Sequence, residues 1–449
     1  MLKNNANKYF GINTIQAINN FKISDLKIPL EVIKSLALIK MAYASIHKEG
    51  NLLPKEQCDA IIKASTEILE GKFDSYFPVD VFQTGSGTST NMNLNEVIAN
   101  RASELLNFKT IVHPNDDVNK GQSTNDTFPA SIQISLSILI DSELLPSLKK
   151  LYQTLKIKQK EFGDVLKAGR THMMDALPIT LGEEFSAYAE QIKKTIETIN
   201  FAKIELLKLP LGATAVGTGF GTTKERTKRV INFINKKTKK NFSMCKNLFE
   251  GISSKENLVN YSSSLKRCSV ALMKISEDLR LMASGPKCGL SEIEIPSLQA
   301  GSSIMAGKVN PVILEMVQMV SAQIIGFDLS NTICGMGGRF ELNVMMPLLA
   351  HNLVTATKIL SNALNTLNDK CVSHIKANRE KCKFYFENTP SIVTFLQPII
   401  GYEMAASIYK ESLEKGVGVK DLILQKGILS EKELNKFFNP KNQVKIKNS

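Results

Sequence analysis

Long helical periodicities constrain the fold of this 449-residue chain more than any other feature of its sequence. Apolar residues recur at alternating steps of three and four, which places them on one face of an α-helix. These segments each run for roughly 20 to 28 residues, well beyond the average helix, and helices of that length pack side by side as bundles. The sequence therefore predicts a mostly α fold with four apolar stripes in its core: Leu181, Phe185, Tyr188, Ile192, Ile196 and Ile199; Leu265, Cys268, Leu272, Ile275, Leu279 and Met282; Val312, Met316, Val320, Ile324 and Phe327; and Leu353, Ala356, Leu360, Ala363 and Leu367.

Five polar, glycine-rich segments interrupt the helical pattern, and no repeat unit relates them to one another. They are residues 84–93, 113–126, 169–175, 211–219 and 301–311. We expect domain edges after the first pair of polar segments and after the last long stripe. The predicted organisation is an N-terminal mostly helical domain (1–122), a central long-helix bundle (123–377) and a small helical C-terminal domain (378–449).

The net charge of +13 and the sequence pI of about 9.2 leave nucleic acids, acidic membranes and small anions as possible partners. The lysines are scattered, however, and the densest groups (236–240 and 441–447) have almost no aromatic residues between them for base stacking. We therefore interpret most of these charges as solvated surface and predict no nucleic-acid partner.

The beginning of the sequence lacks an apolar signal-peptide core, and no run of 18 apolar residues occurs anywhere. The seven cysteines form no pair separated by two residues, and the five histidines show no metal-ligand spacing. These patterns favour a cytoplasmic protein with reduced thiols, no membrane partner, no bound metal and no cofactor.

The side chains of the polar segments are short hydroxyl and amide donors, together with one cation and one imidazole. Such a set suits a small, multiply charged carboxylate, whose oxygens each accept several hydrogen bonds. Each segment alone could equally be a turn with a helix cap. Nucleotide motifs are absent, because Gly85 and Gly87 lack the third glycine of G-x-G-x-x-G and Lys308 is followed by valine. The set is Ser86, Thr88, Asn91, Ser123, Thr124, Asn125, Thr171, His172, Ser302, Ser303, Lys308 and Asn310.

Residues 301–311 resemble the signature loop of the fumarase/aspartase superfamily. Residues 84–88, 95–102, 113–116 and 169–172 are most similar to class II fumarate hydratases, and the resemblance extends from about Tyr9 into the C-terminal region. It implies a three-region, mostly α fold around a central long-helix bundle. It also implies a homotetramer with a core of about 20 helices and active sites shared between three subunits.

The resemblance also implies catalytic roles for three residues. Ser302 is similar to the family's base, which removes a proton from the carbon beside a carboxylate. Because a serine hydroxyl is a poor base, nearby donors or Lys308 must favour its alkoxide. His172 resembles the acid–base group that acts through a water molecule, and Glu315, seven residues after Lys308, matches its carboxylate partner. Alternatively, Glu315 is an acidic residue at the start of a helix, where it interacts favourably with the helix dipole.

Other residues match the family's substrate-binding positions. Lys308 and Asn310 correspond to groups that hold the carboxylate as it gains charge in a carbanion (aci-carboxylate) intermediate. A second anion site is implied at His113, Pro114, Asn115 and Asp116, with a capped turn as the alternative. The full substrate-binding set is Ser86, Gly87, Thr88, Ser123, Thr124, Asn125, Thr171, Ser303, Lys308, Val309 and Asn310.

The predicted function is reversible, metal-independent hydration of fumarate to L-malate, a reaction of the tricarboxylic acid cycle. The alternatives are aspartate ammonia-lyase and a non-catalytic helical scaffold of the same superfamily. His172 favours the hydratase, because aspartases usually carry glutamine there, whereas residues 295–301 look aspartase-like. Ala306 stands where the family usually has proline, so we expect a more mobile signature loop.

Overall fold

The computed structural model describes residues 9–437, and α-helix dominates this part of the chain. The helices before residue 255 are α1 (Ile12–Asn20), α2 (Leu30–Glu49), α3 (Lys55–Leu69), α4 (Thr88–Leu105), α5 (Thr124–Leu139), α6 (Leu145–Glu161), α7 (Leu181–Leu206), α8 (Lys224–Thr238) and α9 (Leu248–Ser253). Those that follow are α10 (Glu256–Met282), α11 (Val312–Gly335), α12 (Met346–Lys370), α13 (Arg379–Asn388), α14 (Gln397–Ile400), α15 (Tyr402–Lys415), α16 (Val419–Gln425) and α17 (Glu431–Phe437). Short 3₁₀ turns occupy Asp74–Tyr76, Val372–His374 and Pro390–Leu396. Short π turns occupy Pro114–Val118 and Ile140–Leu144.

The strands are short and pair two by two. The longest pair is the antiparallel hairpin of β1 (Leu166–Thr171) and β2 (Met174–Thr180), which contains a bulge between Ala168 and Arg170. The other pairs are β3 (Lys208–Leu209) with β4 (Ser243–Met244), which is parallel, and two antiparallel ones, β5 (Ile293–Glu294) with β8 (Lys376–Ala377) and β6 (Gly338–Arg339) with β7 (Leu342–Asn343). The fold class predicted from the sequence, mostly α, is confirmed.

The chain divides into two compact units, and the divisions fall inside several of the long helices. The first unit contains residues up to 146, residues 195–269 and residues 321–361. Its core forms around α2, which packs against α3, α5 and α8. The three-region division at residues 122 and 377 stays a prediction.

The second unit contains residues 147–194, residues 270–320 and the chain from residue 362 on. In it the β1–β2 hairpin packs against α13 and against the 3₁₀ turn at 390–396. The C-terminal helices enclose their own apolar cluster, made of Phe386, Ile392, Val393, Leu396, Ala405, Ile408, Val419, Leu422, Ile423 and Leu434.

Three of the four predicted apolar stripes lie in the core. The stripes on α10 and α12 are fully buried, and on α7 only Ile196 is half-buried. The stripe predicted on α11 is wrong in phase: its buried face carries Leu314, Val317, Ile324 and the polar Asp328, and most of the predicted stripe is only half-buried. Because α11 is apolar on nearly every side, its periodicity does not identify the face that packs inward.

Two helical stretches in residues 9–437 are long and apolar enough to cross a membrane by length and composition. In Thr124–Glu161 the most apolar part is 78% buried, as in the core helix of a folded domain, whereas in Val312–Gly335 only 28% is buried. An apolar helix surface therefore remains uncovered on α11 in the single chain.

Candidate active site

The predicted substrate-binding residues of the first unit lie at the beginnings of α4 and α5. Thr88 is the first residue of α4, and its Oγ1 lies 2.8 Å from the Oγ of Ser86. Gly87 caps this helix with a φ of +85°, and a Cβ there would lie 2.6 Å from the Phe128 ring. Only glycine therefore fits between the polar turn and the core.

Ser123 caps α5 in a reciprocal arrangement with Asp126. The Oγ of Ser123 accepts from the amide of Asn125, 3.2 Å away, and Asp126 Oδ1 accepts from the amide of Ser123 at the same distance. This is a capping box, which satisfies amides at the start of a helix. The cap interpretation and the substrate-binding interpretation therefore apply to the same residues, because helix-start donors also bind anions.

Asp126 and Asn125 join the polar segment 211–219 to the start of α5. Asp126 Oδ2 accepts from the amides of Gly212 (2.9 Å) and Thr214 (3.1 Å), and Asn125 Nδ2 donates to the carbonyl of Ala215 (2.8 Å). Asp126 is fully buried, and burial raises its pKa to about 6. Asn91 Nδ2 of the segment 84–93 donates to Thr124 Oγ1 (2.9 Å), so three of the five polar segments converge in the first unit.

A buried polar group that the sequence did not single out lies next to these helix starts. Lys40 on α2 is completely buried and donates to Asn119 Oδ1 at 2.7 Å. Burial lowers its pKa to about 7, although nearby Asp126 favours the charged form. One face of α2 carries Lys40, Tyr43 and His47 at helical spacing. These polar residues interrupt a largely apolar helix, and that interruption was the sequence signal that could have indicated a buried polar group.

The segment predicted as a second anion site is a capped turn. His113 precedes the π turn Pro114–Val118, and its Nδ1 accepts from the amide of Asp116 at 3.1 Å. Asp116 Oδ2 also lies 3.1 Å from this nitrogen, but a nitrogen that accepts the amide carries no proton to share, so we interpret this as a close contact within the turn. The capped-turn alternative describes this geometry, and the anion site stays a prediction.

In the second unit, His172 stands at the tip of the β1–β2 hairpin. Thr171 pairs with Met174, so His172 and Met173 form a two-residue loop, and both have positive φ values (+55° and +63°). Two consecutive positive φ values are the requirement of a type I′ hairpin turn, which favours Asn-Gly. Neither residue here is glycine, and each left-handed residue carries roughly 1–2 kcal/mol of strain. The tip is solvent-exposed.

A buried ionic network holds strand β1 of this hairpin. Arg170 donates through two nitrogens to the two carboxylate oxygens of Glu292, each at 2.9 Å. Lys167 lies 2.9 Å from the same carboxylate and 2.8 Å from Glu184. Glu292 and Lys167 are both essentially unexposed, and burial raises the pKa of Glu184. This network was not anticipated, because 122 residues separate Arg170 from Glu292.

The signature loop is closed at its neck. The amide of Gly301 donates to the carbonyl of Lys308 (2.8 Å), and Asn310 Nδ2 donates to the carbonyl of Gly301 (2.7 Å). A Cβ on Gly301 would lie 2.5 Å from the Lys308 oxygen, so this close approach requires glycine. Beyond the neck, the loop from Ser303 to Val309 is exposed.

Ser302 lies inside the loop with its oxygen facing two amides. Its Oγ accepts from the backbone N–H groups of Met305 (2.9 Å) and Ile304 (3.2 Å). Hydrogen bonds donated to an oxygen favour its negatively charged form. These two donors are therefore placed to stabilise a serine alkoxide.

Lys308 and Asn310 line a cavity of about 610 Å³, together with Arg280 and Glu277 on α10. Glu315 lies in the first turn of α11 and is half-buried. In the part of the chain that the structure describes, no hydrogen bond joins His172 to Ser302 or to Glu315. The predicted residues thus form one group in the first unit and, in the second unit, a loop group and the hairpin tip.

Comparison with known proteins assigns the family. The profile of the Lyase family matches residues 1–326, and that of the fumarase C C-terminus matches residues 392–445. The class II fumarate hydratase of Halalkalibacterium halodurans is 42% identical over 97% of this chain and 95% of its own length. The class II fumarate hydratase of Helicobacter pylori is 41% identical over 99% and 96%, respectively.

The chain belongs to the class II fumarate hydratase family. The family resemblance of the sequence motifs is thereby confirmed. A solved class II fumarase from Schistosoma mansoni superposes with a TM-score of 0.93, at 34% identity, over 100% of this chain and 97% of that one. A solved fumarate lyase:delta crystallin from Brucella melitensis, bound to cobalt, gives the same TM-score at 38% identity, over 98% and 96%.

Proposed function

We propose that the protein catalyses the reversible hydration of fumarate to L-malate, the reaction for which its relatives are named. The observation that carries this proposal is the pair of backbone amides facing Ser302 Oγ on the signature loop. In the dehydration direction, Ser302 as alkoxide takes a proton from the carbon beside one carboxylate of malate. The carbanion (aci-carboxylate) that results expels the hydroxyl group from the neighbouring carbon, which leaves as water after it receives a proton from His172.

Lys308 and Asn310 would bind the carboxylate on which negative charge develops. An ammonium group and an amide N–H interact more strongly with the doubly charged aci-carboxylate than with the ground-state carboxylate, which lowers the barrier. Their position at the neck of the loop and beside the cavity supports this role.

The hydroxyl and amide groups at the starts of α4 and α5 would bind substrate carboxylate oxygens. We assign this role to Ser86, Thr88, Ser123, Thr124 and Asn125, with Gly87 providing the close approach. Thr171, Ser303 and Val309 complete the proposed set from the hairpin and the loop. We also propose that anions bind at His113–Asp116, where the His113 ring and the Asn115 amide are exposed.

His172 would act on the water molecule, with Glu315 orienting its ring. The exposed hairpin tip and the exposed signature loop support assembly of each site from several subunits, because neither is enclosed by its own chain. We propose a homotetramer in which three subunits contribute to each site.

The uncovered face of α11 supports such an assembly. Its exposed side chains include Met319, Ile325, Leu329 and Ile333, which lie on one side of the helix, while Asp328 on the other side is buried. A contiguous apolar stripe of this kind is a typical protein–protein contact surface. We assign oligomerisation to the predicted central region (123–377) and propose a cytoplasmic enzyme of the tricarboxylic acid cycle.

The deciding experiment incubates chelator-treated protein with fumarate, with and without ammonium, and follows L-malate and aspartate separately. We expect malate in both mixtures. Aspartate with ammonium and no malate would instead establish an ammonia-lyase, and neither product would establish a scaffold.

A further inference from the structure

A chain of three hydrogen bonds leads from buried Lys40 to the proposed substrate-binding residue Thr124. Lys40 Nζ donates to Asn119 Oδ1 at 2.7 Å. Asn91 Nδ2 donates to the same Asn119 oxygen at 3.3 Å and to Thr124 Oγ1 at 2.9 Å. All four residues belong to the first unit, and Lys40, Asn91 and Thr124 are buried.

The ammonium group is the strongest determinant of the bond directions in this chain, and a longer bond from Asn119 Nδ2 to the carbonyl of Gln122 (3.3 Å) acts in the same sense. The Nζ···Oδ1 contact places the Asn119 oxygen, not its amide nitrogen, towards Lys40, as the three donors and no acceptor of the charged form require. Asn91 must then present its Nδ2 to Asn119, since two facing carbonyl oxygens repel each other. The same Nδ2 group reaches Thr124, whose oxygen therefore accepts.

This direction has a consequence for the Thr124 proton. A threonine hydroxyl has one proton, and no hydrogen bond uses it within the described residues. Asn91 Oδ1, which could take that proton if the amide were reversed, is buried and has no hydrogen-bond partner. The proton thus remains available for a ligand oxygen.

We propose that Lys40 is a positioning residue for fumarate binding, which acts through Asn119 and Asn91 to keep the Thr124 hydroxyl a hydrogen-bond donor to the substrate carboxylate. This inference rests on the proposed function. Without the ammonium group, the remaining hold on the Asn119 orientation is the long bond from its Nδ2 to the carbonyl of Gln122 (3.3 Å). When Asn119 and Asn91 both reverse, Asn91 Oδ1 accepts the Thr124 proton. Thr124 would present a lone pair to the carboxylate instead of a proton.

The test is a double-mutant cycle between Lys40→Met and Thr124→Val. Each single variant should raise the KM for fumarate about tenfold, the usual effect of losing a hydrogen bond to a charged group, with a much smaller change in kcat. The double variant should be no worse than Thr124→Val alone. Additive losses, or an unchanged KM in Lys40→Met, would overturn the proposal.

Lys255→Met is the matched control, because Lys255 is equally buried in the same unit and donates only to the carbonyls of Gly251, Ile252 and Ser254. It should lower the unfolding temperature and leave the KM within twofold of wild type. Asn119→Leu provides a second route if Lys40→Met does not fold. It frees Asn91 to reverse and should give the same rise in KM, absent in the Thr124→Val background; no rise would contradict the proposal.

Calorimetric binding of succinate, an unreactive dianion, separates this inference from the proposed function. If the wild-type protein binds succinate but does not hydrate fumarate, the proposed function fails and the cycle is evaluated from the Kd of succinate. A Kd weakened by Lys40→Met only when Thr124 is present supports the positioning role. A Kd weakened equally in both backgrounds overturns it.

Discussion

Arg170 and Glu292 form a two-pronged ion pair in which both N···O distances are 2.9 Å, and Glu292 is completely buried. The pair connects the strand that leads to His172 with the segment immediately before β5. Burial alone would lower the pKa of Arg170, but the hydrogen bonds to Glu292 and the charges of the neighbouring carboxylates together outweigh it and raise the pKa. The arginine therefore remains charged and holds the end of the hairpin in place.

Glu292→Gln should destabilise the protein strongly, because it leaves Arg170 without its carboxylate partner and Lys167 with Glu184 alone. Breaking a buried pair of this kind costs about 3–5 kcal/mol in the free energy of unfolding. The matched control is Asp164→Asn, which removes a similar two-pronged pair with Arg379 at the surface. Exposed pairs contribute roughly 0–1 kcal/mol. Urea unfolding of both variants measures the contrast, and equal losses would contradict it.

Ser302→Ala should lower kcat by about 10²- to 10⁴-fold, the usual contribution of a general base, without changing the unfolding temperature. The alternative role, capping the loop through the Ile304 and Met305 amides, would alter loop mobility but not abolish proton removal. Exchange of the malate C3 proton with deuterated solvent distinguishes the two. Exchange at the wild-type rate in the variant would remove Ser302 from the mechanism.

His172→Asn should reduce hydration by a similar factor and remove one limb of the pH profile of kcat, because an amide cannot carry a proton to and from water. His374→Asn is the control, since His374 is also exposed but lies outside the proposed site. Steady-state rates between pH 5 and 9 test this, and a wild-type profile in His172→Asn would dismiss the acid–base role.

His47 should make folding stability depend on pH. Burial lowers its pKa to about 4, with further lowering by Arg226 and Lys120, whereas the unfolded value is about 6.5. The folded state therefore favours the neutral ring, and below pH 6.5 the unfolded state binds more protons. Stability should fall by roughly 2–3 kcal/mol as the pH decreases from 6.5 to 4. Urea titrations of wild type and His47→Asn should converge at acid pH; parallel curves would refute this.

Leu329→Glu should disrupt the proposed assembly, because it places a charge in the middle of the exposed apolar stripe of α11. Leu329 is 66% exposed in the single chain, so the substitution should leave the fold of the chain intact. Tyr402→Glu, at 73% exposed on α15, is the control. Analytical ultracentrifugation should detect smaller species only for Leu329→Glu. A wild-type mass for that variant would exclude this face from the interface.

The sequence was sufficient for what depends on local periodicity. The stripes on α10 and α12 were placed correctly, because their other faces are polar and identify the inward side. On α11 the pattern failed, since apolar residues surround the helix and Asp328, a charged residue, is buried beside Lys266. Helix composition cannot reveal which face a partner will cover.

The candidate site residues, too, could be predicted only where they belong to local sequence motifs. Ser302, Thr124 and His172 belong to local motifs and could be chosen by inspection, although their roles remain proposals. Lys40 and Glu292 act through contacts between distant parts of the chain: Lys40 lies 79 residues from its partner Asn119. Sequence spacing carries no information about such pairs until the fold brings them together.

The two left-handed residues at the hairpin tip fix the direction in which the Cα–Cβ bond of residue 172 leaves the backbone. A substitution at residue 172 changes the functional group at the tip but not the direction of its Cα–Cβ bond. The hairpin tip therefore fixes the position of residue 172 on the backbone, whichever side chain it carries. If His172 acts on the leaving group as proposed, a substitution at this one position would change the functional group at the hairpin tip, while the Arg170–Glu292 pair stays as it is.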